Sequence, residues 1–234
     1  MLSEKHWDHT LHVSEAVLSR MMCRAFLSRP LAREVVEDIL ATASRAPSGG
    51  NLQPWRVWAL AGEPLASLER KVCDRIASGE YAEIPTEHFI YPLVPKEPYE
   101  THKFLAGEAM YAALGIARDD HSGRMSQIVR NFECFGAPVC LFFAIDRDMQ
   151  QGQWGELGMF MMSVMLLARE RGLDTAPIGA WSMWHRTLRE HLRMPDELML
   201  YCGMGIGHAD LANPVNGIRS PRSPVDAFAV FEGF

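Results

Sequence analysis

The usual sequence marks of disulfide and zinc chemistry are missing. The five cysteines (Cys23, Cys73, Cys134, Cys140 and Cys202) are odd in number and form no Cys-x-x-Cys pair. Free thiols in a reducing, cytoplasmic setting are the simplest reading. His6, His9 and His12 stand three apart near the N-terminus and His185 and His191 six apart; neither is a recognised ligand pattern, so no metal is expected. No stretch approaches about 18 uninterrupted apolar residues, and Met1 to His6 contains no apolar signal core, so neither a membrane span nor a leader is expected. Basic excess is lacking too. With Lys+Arg at 23 against Asp+Glu at 29, the net charge of -6 argues against a general nucleic-acid or anionic-membrane binder, though a local basic pocket is still allowed.

Several catalytic fingerprints are absent as well. No Gly-Lys-Ser/Thr follows a glycine loop, and there is no Gly-x-Ser-x-Gly nucleophile elbow. Gly203-Met204-Gly205-Ile206-Gly207 has the wrong spacing for a dinucleotide fingerprint, and the turn His208-Ala209-Asp210 follows it where a helix should open. Glu80, Glu83, Glu87 and Glu97 read as solvated carboxylates and not as an acid–base pair. No internal repeat or low-complexity tract interrupts the chain.

What is there begins with a core. At 234 residues and 48% apolar, the chain reads as one large domain, 1–234, with its fourteen methionines mostly core filler. Helical spacing predicts helices over Ser14–Arg20, over Leu31–Ala43 before Pro47, and over Pro64–Ile76. Further helices are expected at Phe104–Ala117, about Ser126–Phe135, Trp154–Arg171 and Arg186–Leu192. Strands are expected at Arg56–Leu60, Val139–Ile145, Thr175–Gly179 and Leu198–Ile206. Residues 78–102, broken by Pro85, Pro92, Pro95 and Pro98, form either a functional lid or a surface excursion. Helices and short strands alternate without a regular βαβ period, so the fold class is α+β.

Three features could carry chemistry. Ala46-Pro47-Ser48-Gly49-Gly50-Asn51-Leu52-Gln53-Pro54-Trp55 is a turn rich in hydroxyl, carboxamide and main-chain donors, able to hold a planar polar ring or an anionic oxygen, or to be only a loop. Arg20 and Arg24 could serve one anion or be solvated arginines near a helix end, and Arg219-Ser220-Pro221-Arg222 is a second basic strip. No nucleophile or general acid is evident, so catalytic residues proper are none. The pattern suits chemistry performed by a bound cofactor.

The chain resembles the nitroreductase family of FMN flavoproteins nearly end to end. Arg20-Met21-Met22-Cys23-Arg24-Ala25-Phe26 is similar to that family's opening motif, and Ala46 to Trp55 to its Ala-Pro-Ser-x-x-Asn-x-Gln-Pro-Trp signature. Phe135-Gly136-Ala137-Pro138-Val139, Gly172 to Pro177 and Arg222-Ser223-Pro224 resemble three later landmarks, and the proline-rich segment resembles the nitrobenzoate and nitroaromatic reductase branch.

The resemblance implies a nitroreductase-like fold, with a central mixed or antiparallel sheet flanked by helices. It implies a homodimer that exchanges a C-terminal arm, residues 208–234, whose Phe228 to Phe231 add to the partner's sheet. Two FMN sites would then lie at the interface, reduced by NAD(P)H, with a small aromatic as second substrate. The implied cofactor contacts are Arg20, Met21, Met22, Arg24, Pro177, Ile178, Gly179, Ala180, Ser220 and Arg222 from one subunit. Pro47, Ser48, Gly49, Gly50, Asn51 and Gln53 come from the other. Arg20 and Arg222 would pair with the phosphate, Arg24 with the flavin's N1–C2=O edge. The implied activity is ping-pong electron transfer to nitroaromatics or quinones. Reductive dehalogenation, enoate reduction, flavin breakdown or a non-catalytic flavin-binding dimer are the alternatives on the same fold. The family pattern is departed from in three places: Met22 stands where a small hydroxyl is usual, Gly179-Ala180 where many relatives have Glu-Gly, and Ser220 where some carry lysine.

Overall fold

A computed structural model describes residues 11–234, so His6, His9 and the other N-terminal features lie outside the described residues. The site is carried by a four-stranded sheet, ordered β1-β2-β4-β3, in which every neighbouring pair is antiparallel. The strands are β1 (Arg56–Ala61), β2 (Val139–Asp146), β3 (Asp174–Ile178) and β4 (Leu198–Gly207). β2 sits between β1 and β4 with both edges paired, and packed elements cover both its faces, which explains its unbroken apolar run. Val139, Leu141, Phe143 and Ile145 meet α2 (Arg33–Ala43) and α6 (Gln151–Glu170) on one face. Cys140, Phe142 and Ala144 alternate onto the other, against α3 (Gly62–Ala77), α7 (His185–Leu192) and the indoles of Trp181 and Trp184.

The glycine repeat of β4 is a packing device. A Cβ on Gly205 would lie 3.0 Å from Ala137 Cβ, and one on Gly207 2.6 Å from Pro138 Cδ. A Cβ on Gly203 would strike the Trp181 ring. The strand can run beneath these groups only because three alternate positions lack a side chain.

α1 (Val13–Ser19) and the four helices α2, α3, α6 and α7 fall near their expected places. Two helices differ. α4 (Tyr99–Ala113) begins five residues before the expected Phe104, since Pro98 can precede a first helical turn but cannot continue one. The helix expected over 126–135 is two pieces: α5 (His121–Val129), capped by Asp120 accepting from Gly123 N at 2.8 Å, then a 3₁₀ stretch, Arg130–Gly136. Cys134 and Phe135 take φ of 45° and 56° there, a left-handed kink that ends the regular helix. The strand expected over 175–179 runs Asp174–Ile178, and Gly179 and Ala180 open a 3₁₀ turn, Gly179–Trp184.

The irregular segment is anchored at its start. Glu83 and Glu87 are not solvated, contrary to the sequence reading. The Glu83 carboxylate is buried and accepts from Arg186 N at 2.6 Å, Thr187 Oγ1 at 2.6 Å and Arg75 at 2.6 Å, at the N-terminus of α7. The Glu87 carboxylate pairs with Arg189 at 2.7 Å and with Arg147, with His185 Nδ1 3.4 Å away. Burial alone earmarks neither residue; their partners arrive from α3, α7 and the end of β2. Glu80 pairs with Arg75 at the surface, and Glu97 accepts from Thr101. Beyond His88 residues 89–100 are exposed, with Ile90 partly covered against Gly179.

Candidate functional site

The first basic strip is pinned along the edge of the sheet. Met22 forms a single parallel bridge with Thr175 of β3, and Cys23 N donates to Thr175 O at 3.1 Å. That register sets Arg20–Arg24 alongside β3, whose chain continues through Pro177 and Ile178 to Gly179. The strip is held on its other side by Leu27 N donating to His208 O at 2.8 Å and Asp210 N donating to Ala25 O at 2.9 Å.

Met21 is buried, while Met22, Arg20 and Arg24 are half-buried. The Nε of Arg20 is shielded from solvent and has no hydrogen-bond partner. Arg24 forms no ion pair among the described residues, and burial pulls its guanidinium pKa down. Two partly desolvated cations with no counter-charge among the described residues are costly unless something negative meets them.

The second basic strip comes to the first. Arg219 Nη1 lies 3.6 Å from Met21 Sδ and donates to Asn216 O at 2.9 Å. Asn216 joins the two strips and was not singled out in the sequence. It is buried, accepts from Arg24 N at 2.8 Å, and donates to Ala25 O at 2.8 Å and Asp210 O at 2.9 Å. Only the Asn213-Pro214 turn start hinted that this stretch was ordered. Ser220 and Arg222 are exposed, and the Arg222 guanidinium donates only to the nearby carbonyls of Ser220 and Pro221.

The donor-rich turn is built differently from what its sequence suggests. Gly50, Asn51 and Gln53 take φ of 58°, 58° and 51°. Two of these are not glycine, and such backbone is retained where surroundings enforce it. The enforcing group is Glu156 of α6: Gly49 N donates to its Oε1 at 2.7 Å and Ser48 Oγ to its Oε2 at 3.1 Å. Gln53 N donates to Ser48 Oγ at 2.8 Å. Ser48 is therefore engaged internally, whereas the Asn51 side chain is exposed and makes no hydrogen bond among the described residues. Pro47 is exposed beside it. No hydrogen bond joins this turn to Arg20–Arg24 or Arg222 among the described residues, so one chain presents two separate half-sites.

A cavity of about 510 Å³ opens where β3 ends. Its walls include Pro177, Gly179, Met161 and Met165, with Ile90 of the irregular segment closing one side. His88, Trp154 and Tyr201 form its aromatic floor, with ring centroids 5.6 to 5.7 Å apart. A Cβ on Gly179 would lie 3.2 Å from Ile90 Cγ2, so the segment occupies the room that a larger residue at 179 would need. Volume and lining suit one small aromatic ring system. No cluster of three or more metal-ligating side chains exists among the described residues, and no helix there is long and apolar enough to cross a membrane.

An antiparallel sheet flanked by helices carries a cationic strip along its edge and an aromatic cavity at the end of β3. The chain belongs to the nitroreductase family, whose sequence model matches residues 17–208. It is 35% identical over 93% of its length to a 4-nitrobenzoate reductase of Pseudomonas putida, 94% of which is covered. It is 34% identical to a chloronitrobenzene nitroreductase of Comamonas testosteroni, over 94% of this chain and 96% of that one. Among solved structures, the FMN- and NADPH-dependent nitroreductase NfnB of sphigopyxis sp. strain HMH superposes with a TM-score of 0.92 at 42% identity, covering 96% of this chain and 100% of that one. NfnB of Mycobacterium smegmatis, solved in complex with NADPH, gives 0.87 at 25% identity over 94% and 97%.

Proposed function

We propose that the protein is an FMN-dependent nitroreductase that passes electrons from NADPH to nitroaromatic acceptors. The observation that carries this is the pair of half-buried guanidiniums, Arg20 and Arg24, which form no ion pair among the described residues and are set beside the end of β3 in a chain of this family. The residues present fit FMN. Arg20 and Arg222 would hold the phosphate by charge-assisted bonds. Asn51, with its carboxamide unengaged, would bond the ring's polar edge. Pro177, Ile178, Gly179 and Ala180 would meet the ring through their backbone groups. FMN, when bound, supplies the two-electron relay between nicotinamide and nitro group.

The protein's part is binding and electrostatics. Arg24 fixes a positive charge at the ring's polar edge and favours the electron-rich form. The single cavity at the end of β3 has room for one aromatic partner at a time, which favours a ping-pong order in which the nicotinamide leaves before the acceptor enters. In each turnover a nitro group takes two electrons and two protons and loses water to become nitroso, while NADPH becomes NADP⁺. Quinones, flat and two-electron accepting, suit the same cavity. The relatives are a nitrobenzoate reductase and a chloronitrobenzene nitroreductase, which supports the nitroaromatic class.

The purified protein should be yellow and should oxidise NADPH when a nitrobenzoate is added. Arg20→Ala and Arg222→Ala should each weaken FMN retention about tenfold, the value of one charge-assisted bond. A colourless protein that FMN cannot reconstitute would overturn this function. Unchanged retention in both variants would overturn the phosphate assignment alone.

A further inference from the structure

Glu156 is a buried carboxylate, 7% exposed, on a helix whose sequence otherwise reads as core. No cation pairs with it among the described residues. Its charge is met only by the Gly49 N–H at 2.7 Å and the Ser48 hydroxyl at 3.1 Å. A buried anion held by neutral donors is an expensive way to fasten a loop. The fit is also tight, since a Cβ on Gly49 would come within 3.0 Å of Glu156 Oε1. The residues whose direction these bonds decide, Gly50 and Asn51, follow at once and take left-handed backbone.

We infer that Glu156 is a positioning residue for the cofactor. Its carboxylate fixes the Ser48–Gln53 turn so that the Asn51 carboxamide faces the flavin. The inference rests on the proposal that this turn serves FMN. Glu156 does not touch the ligand; it acts through Asn51. By drawing in the Ser48 proton and the Gly49 amide, it leaves the Asn51 side chain as the turn's outward-facing donor and acceptor. A glutamine at 156 would keep the size but replace one acceptor with a donor, facing either an N–H or an O–H that already points inward.

The test uses the full-length holoprotein with Glu156→Gln, Asn51→Ala and the double variant, and measures the FMN dissociation constant by flavin fluorescence. Glu156→Gln should raise it about tenfold, and the double variant should be no worse than Asn51→Ala alone, because the two act in series. Gly49 amide exchange in the apoprotein should quicken in Glu156→Gln, a readout independent of flavin. Should Glu156→Gln fail to fold, Ser48→Ala breaks the same link from the turn side and should show the same non-additivity with Asn51→Ala. Parent-like FMN binding in Glu156→Gln, or losses that multiply in the double variant, would overturn the inference while leaving the turn as a flavin ligand. Parent-like binding in Asn51→Ala would remove the turn from the flavin site, and the inference with it.

Discussion

Glu69 shows how one side chain can make the fold respond to pH. It lies on α3, beside Glu133, and burial pushes its carboxyl pKa up to about 7, with the Glu133 charge adding to the rise. The folded chain therefore binds a proton that the unfolded chain has already released. That contribution to stability is fully present below the ordinary carboxyl range and is lost as pH rises through 7. Glu69→Gln should consequently be more stable than the parent at pH 8, and the gap should close under acid conditions. Urea unfolding at the two pH values checks it, and a pH-independent difference would refute it. Such a residue is invisible in sequence, because nothing about a glutamate on an amphipathic helix says that it faces inward. The same holds for Glu156, separated by more than a hundred residues from the turn it holds, and for Asn216, which knits Arg24 to the C-terminal segment. Arg20, Arg24 and the Ser48–Asn51 turn were legible because their chemistry is written in adjacent positions. Their supports were not, because a long-range hydrogen bond leaves no local pattern.

At the scale of elements, apolar periodicity located the strands and most helices, since burial on one or both faces imposes it directly. It misplaced the start of α4 and merged α5 with the stretch that follows, where a left-handed kink at Cys134 and Phe135 overrides periodicity. The irregular segment is the more consequential case. Its proline content announced irregularity but not that residues 83–88 are fastened while 89–98 are exposed. The Glu83 carboxyl illustrates the fastening. Burial pushes its pKa up, but bonds from Thr187, Arg75 and Arg186 more than offset this, and the net shift is downward. Glu83→Ala leaves two α7 amides and the Thr187 hydroxyl without their acceptor and Arg75 paired with the surface carboxylate of Glu80, and should cost about 3 kcal/mol. Trypsin or chymotrypsin should then cut within 84–103 at concentrations that leave the parent intact. Equal cleavage of the two proteins would show that the anchor lies elsewhere. Ile90 reaches the cavity from just beyond this anchor, so loosening Glu83 should also raise KM for the aromatic acceptor more than it lowers kcat.

The whole molecule exposes 14215 Å², against roughly 10,600 Å² expected for a compact monomer of this size. The excess includes apolar side chains that a lone chain does not bury. Phe228 is 72% exposed, Val230 86% and Phe231 66%. α4 buries none of its residues. On the proposed reading these surfaces meet a second copy, and the tail lies on its sheet. Removing residues 225–234 should shift the protein toward monomer in sedimentation velocity and release FMN. A truncated protein that stays dimeric and yellow would refute the role of the arm.

The separation of the Ser48–Asn51 turn from the Arg20–Arg24 strip has a genetic consequence. If each site is assembled from one half of either chain, a defect in one half is recessive within the dimer. Arg222→Ala and Asn51→Ala damage different halves, so a hybrid dimer of the two carries one doubly damaged site and one untouched site. The two preparations, each weakened in flavin retention, unfolded together and refolded as a mixture, should recover sites that hold FMN as tightly as the parent, which neither has alone. Two variants of the same half should not.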